Sequence, residues 1–74
     1  MQKQISQFKT GDVIAFMENN WNHVVARIIA KDEEGVSLLA TSLTFGEQEV
    51  DGIFLPANFK VTKWQIPIPE ILKD

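Results

Sequence analysis

The chain is expected to form one small all-β domain, a strongly bent barrel of five short strands. Three observations in the sequence predict this. Runs of β-branched and aromatic residues recur at strand length, as in Val13-Ile14-Ala15-Phe16-Met17 and Val24-Val25-Ala26-Arg27-Ile28-Ile29. Compact turn signals separate them: Asn19-Asn20, Asp32-Glu33-Glu34-Gly35 and Phe45-Gly46-Glu47. Finally, Pro56-Ala57-Asn58-Phe59 leaves room for a single 3-10 turn before a last strand. Short links between short strands suit a small barrel, whereas an oligonucleotide-binding barrel has longer loops.

Taken in order, residues 1–7 are polar apart from Ile5 and form an N-terminal arm: a short strand, a helical turn or a loose segment. Phe8 and Gly11-Asp12 lead into the first strand, and Asn19-Asn20 supplies the left-handed residues of a tight hairpin. The second strand spans about residues 21–31. A period of two puts Val24, Ala26, Ile28 and Ala30 on one uniformly apolar, core-facing side. Gly35 ends the next turn, where a left-handed residue is often needed. The third strand covers about 36–44, and its inward face is open because Leu38 and Leu39 point opposite ways. The fourth covers about 48–55, with Gly52 marking a bend or bulge. Pro56 lacks the ladder donor and stops it. The fifth runs over about 60–66. Pro67 and Pro69 begin a tail that either starts a short helix or frays. The core is thus expected within about residues 8–66 of a single 1–74 domain.

Composition narrows the function classes. A domain of 74 residues buries only roughly 60% of its unfolded surface and is marginal alone. Small scaffolds of this kind rely on disulfides, metals or oligomers. With no cysteine and one histidine, His23, neither disulfides nor a thiolate metal site is available, so self-association is expected. No apolar run approaches the roughly 20 residues of a membrane span, and Met1-Gln2-Lys3-Gln4 is not an apolar signal core. A cytoplasmic location is the expectation. The net charge of −3 argues against a general nucleic-acid binder. No nucleophile–base set, phosphate loop or metal motif is visible, so neither catalysis nor a cofactor is expected.

The order and spacing of these segments resemble the Sm-like barrels of the Sm/LSm/Hfq superfamily, and the compact phage and marine members in particular. Against the first Sm motif, Ala26 stands in the glycine slot, and Ile28, Asp32 and Leu39 match. Val36 occupies the slot where the family has a base-binding asparagine. Against the second motif, Leu55, Pro56 and Ala57 replace an apolar–cationic–glycine triplet, with Val61 in the following strand. The resemblance implies a homo-oligomeric ring of about five to seven subunits. It also implies a candidate RNA or ligand loop at Asp32, Val36, Pro56 and Asn58, and a subunit interface at Ile53, Leu55, Val61 and Trp64. Any RNA contact is expected to be weak, because Val36 and Pro56 offer neither hydrogen bonds nor charge. Another Src-homology-3-like barrel is the alternative fold.

Other residues have ordinary explanations. Asp32 suits a hairpin turn. Trp21 and Trp64 could stack bases, yet tryptophan more often serves core or subunit contacts. The acids Asp32, Glu33, Glu34, Glu47, Glu49 and Asp51 lack cation-loop spacing. They read either as solvated surface or as a face for a basic partner protein. Two functions are consistent with these features: a homo-oligomeric scaffold, RNA-associated or regulatory, or an acidic barrel or structural component that engages another protein.

Overall fold

A computed structural model describes residues 2–73, with Met1 and Asp74 outside the described residues. Strands β1 (Lys3–Gln4), β2 (Val13–Glu18), β3 (Asn22–Lys31), β4 (Gly35–Ser42), β5 (Asp51–Pro56), β6 (Lys60–Val61) and β7 (Lys63–Trp64) succeed one another, with 3-10 turns at Ile5–Gln7 and Glu70–Leu72. Five of them make an antiparallel sheet in the order β5-β4-β3-β2-β7, and β1 pairs with β6 in a second, two-stranded sheet. The larger sheet stays open: no ladder joins β5 to β7, so the hydrogen-bonded barrel expected from the sequence does not close.

The alternation along each strand explains the core. Ile14 lies opposite Ala26, Ala26 opposite Ala40, Ile28 opposite Leu38, Leu38 opposite Ile53 and Val36 opposite Leu55. One continuous apolar stripe therefore crosses four strands on one face. Ile5, Phe8 and Val61 join this stripe in a single cluster, so the small sheet and its arm supply part of the core. Burying each Ile or Leu contributes roughly 1.5–3 kcal/mol.

Several features differ from the expectations. Ala30 is exposed rather than core, because the register shifts between Ile28 and Ala30, leaving Ile29 without an opposite residue. A bulge of this kind reverses the facing of the residues beyond it. Gly52 carries no bulge. It sits in a regular ladder opposite Leu39, with open space where a Cβ would point. Leu38 settles the inward face of β4, being fully buried while Leu39 is half-buried. The expected fifth strand is two short ones, and Gln65, left-handed at φ 61°, turns the chain out of β7.

Residues near both ends take part in the packing. Ile5 is fully buried, its amide donates to the Phe59 carbonyl at 2.7 Å, and Ser6 N donates to Ala57 O at 3.1 Å. The Lys31 ammonium donates to the carbonyls of Ser6 (2.6 Å) and Phe8 (2.8 Å), fastening the arm from the bulged end of β3. At the other end, Leu72 is 1% exposed and its 3-10 turn contacts β4. Val25 and Thr41, opposite each other on β3 and β4, are also buried, although neither belongs to the main core cluster. The tail that leaves β7 thus covers a second, smaller apolar area on the reverse side of the sheet.

Candidate functional site

The β3–β4 turn is built around Asp32. Its Oδ1 accepts from Glu34 N (2.8 Å) and Gly35 N (3.1 Å), and its own amide donates to Gly35 O (2.9 Å). A side chain used in this way closes the hairpin. Gly35 comes next, without a positive φ. A Cβ there would fall on the Leu55 carbonyl oxygen, 2.8 Å from Phe54 Cζ and 2.9 Å from Pro56 Cα. The glycine therefore permits close approach of β5, and is not the left-handed residue expected.

Of the loop residues suggested by the resemblance, Asp32, Pro56 and Asn58 lie at the surface, whereas Val36 is 1% exposed and belongs to the core. Its side chain is therefore turned away from any base. Gly35 pairs with Pro56 and Ala57 N donates to Glu34 O at 3.0 Å, so the Asp32 turn and the Pro56 turn do converge on one end of the sheet. Phe59 N closes the second turn on Pro56 O at 3.0 Å.

The four residues expected at a subunit contact have intramolecular roles. Ile53 and Leu55 are partly buried against the core, and Val61 is fully buried within it. Trp64 is half-buried, its ring edge-to-face with Phe8 at 6.0 Å and 5.7 Å from the Lys3 ammonium. The residue that β5 turns outward is Phe54, 50% exposed. Within the described residues β5 pairs only with β4, so its other side is an open edge six residues long.

At the opposite side of the sheet lies a groove of about 570 Å³. Phe16 and Met17 of β2, Val24 and Val25 of β3 and Leu43 form one part of it. The tail segment Ile66-Pro67-Ile68-Pro69 forms the facing wall, with His23, Glu47 and Lys63 also contributing. Its volume is in the range of ligand and side-chain pockets. The sequence reading missed it; the signal that could have found it is the alternating Ile and Pro, whose apolar surface cannot join a ladder and must lie across a face.

Hydrogen bonds hold the loop between β4 and β5 against the tip of the β2–β3 hairpin. His23 N donates to Thr44 Oγ1 (2.9 Å), Leu43 N to His23 O (2.7 Å) and Ser42 Oγ to Asn22 Oδ1. Asn19 (φ 56°) and Asn20 (φ 64°) make that tip the expected left-handed hairpin. His23 is exposed, is held through its backbone, and lines the groove. Among the described residues no three His, Cys, Asp or Glu side chains gather to hold a metal, and no helix is long and apolar enough to cross a membrane.

Comparison with protein-family models, with curated proteins and with solved structures finds no match to this chain.

Proposed function

We propose that this chain is a non-catalytic scaffold that assembles head to tail with copies of itself. The observation that carries the reading is the placing of two complementary features at opposite sides of one sheet. Strand β5 presents an unpaired edge and the exposed ring of Phe54. The β2–β7 side presents the apolar groove. An open edge recruits another strand or another apolar surface. When donor and acceptor surfaces differ, contacts run heterologously and close into a ring at a fixed rotation. The meander β2-β3-β4-β5, with the last segment returning beside β2, supports an Sm-like or other Src-homology-3-like architecture for the subunit. On the Sm-like architecture a ring has about five to seven subunits.

Base recognition is not the function that the geometry favours. Val36 is buried, and Pro56 offers no charge beside it. Phosphate binding would need clustered cations, but the chain is acidic overall.

Sedimentation velocity at micromolar concentration tests the reading. The native chain should sediment as one dominant oligomer, and Phe54→Lys should move the population toward monomer with its fold intact. A native chain that stays monomeric up to about 100 μM, a weak-binding regime of about 5–6 kcal/mol, would remove the proposal.

A further inference from the structure

Beside the tip of the β2–β3 hairpin, two large rings remain in solvent. Trp21 is 55% exposed and Phe45 58% exposed, and they meet edge-to-face at 5.5 Å and 84°. Phe45 also lines a separate cleft of about 360 Å³, together with Asn22, Ser42, Gln48, Glu49 and Asp51. Exposed aromatic surface rimmed by polar groups is a mark of an interaction site.

Charge identifies what that site would accept. Residues 43–51 hold Glu47, Glu49 and Asp51 and no Lys or Arg. The chain has 10 acids and 7 bases, so the remaining residues balance at seven of each and this segment carries the whole net charge of −3. Among the described residues, neither Glu49 nor Asp51 has an ion-pair partner. A guanidinium suits such a site in two ways. Its flat face stacks on an aromatic ring, and its edge donates to carboxylates.

The loop is also held in place before any partner arrives. Phe45 N donates to Ser42 Oγ (3.2 Å), Glu47 N to Ser42 O (2.9 Å) and Gly46 N to Leu43 O (3.3 Å). Preorganisation lowers the entropic cost of docking. We propose that this cleft binds an arginine-bearing basic segment of a partner protein, one guanidinium lying on Phe45 against the Glu49 and Asp51 carboxylates. The site adjoins the self-assembly surfaces, since Asp51 opens β5 and the Phe45 loop lends Leu43 and Glu47 to the groove, but binding there does not require assembly.

The test is an amide and indole NMR titration of the full chain with a capped peptide carrying two arginines spaced by serine. Its citrulline counterpart and octauridylate serve as the comparison probes. The arginine peptide should shift Trp21, Phe45, Glu49 and Asp51, bind at least about tenfold more tightly than the citrulline peptide, and weaken as salt rises. Phe45→Ala and the pair Glu49→Gln with Asp51→Asn should each weaken it about fivefold or more, while melting temperature and oligomeric state stay as in the native chain. Equal binding of the citrulline peptide, shifts centred elsewhere, or tighter binding of the RNA would overturn the proposal. A change of oligomeric state in the variants would overturn it too, by making the cleft a contact between copies.

Discussion

Gly35→Ala offers the sharpest test of how β5 is seated on the domain. The added methyl group would occupy the space of the Leu55 carbonyl oxygen, with Phe54 Cζ at 2.8 Å and Pro56 Cα at 2.9 Å. Two of the three obstacles are backbone atoms, so no rotamer change relieves them and the β4–β5 ladder must open at that end. Overpacking of this kind costs about 1–3 kcal/mol. A 74-residue domain has a total stability of roughly 4–11 kcal/mol, so the loss is a substantial fraction. Each kcal/mol shifts the midpoint by about 4–8 °C at this size, and a fall of about 8–20 °C is expected by thermal denaturation. Gly35→Asn discriminates the reasons for the glycine. Asparagine tolerates left-handed backbone, but its Cβ meets the same atoms, so it should be as harmful as alanine. A fall below about 4 °C, less than the smallest overpacking cost, or an asparagine variant close to the native chain, would refute the close-approach argument.

Ile28→Asp should unfold the domain at ambient temperature by circular dichroism, since a fully buried isoleucine would become an unpaired carboxylate; a native-like melting curve would reverse the register of β3. Thr41→Val should leave stability unchanged or raise it by up to about 1 kcal/mol, because the Thr41 hydroxyl is buried with no hydrogen-bond partner among the described residues; a clear destabilisation would show that the hydroxyl is satisfied. Lys31→Met should cost about 1 kcal/mol and speed amide hydrogen exchange selectively at Ile5 and Phe8, as the two carbonyl contacts of the ammonium are lost. Unchanged exchange there would mean that the arm is held by Ile5 packing alone.

The central meander was legible because β3 carries a period of two, its neighbours are rich in β-forming residues and each turn has its own chemistry. Asn19-Asn20 and the Asp32 turn appear where their side chains dictate. Ala30 was misplaced because a bulge at Ile29 leaves no mark on an apolar alternation. Gly35 shows how one residue type serves two purposes: a sequence tells a left-handed turn from a close approach only through the neighbouring strand, here β5. The polar arm around a lone Ile5 gave no pattern, although that one side chain fills the core. The last strand looked continuous through residues 60–66, but the left-handed Gln65 results from the tail crossing back over the sheet, a tertiary demand. The aromatic pair was half visible: Trp21 stood out, but its partner Phe45 lies 24 positions on and meets it only through the β3–β4 pairing.

The head-to-tail assembly is tested most directly by mixing two single variants and recording native mass spectra. Phe54→Lys spoils the β5 edge and Met17→Lys spoils the groove, leaving each chain with one intact surface. Each variant alone should then be largely monomeric, and an equimolar mixture should form heterodimers joined by the remaining good pair of surfaces, with no larger species. Full-size oligomers from either variant alone, or a mixture that remains monomeric, would contradict the assembly.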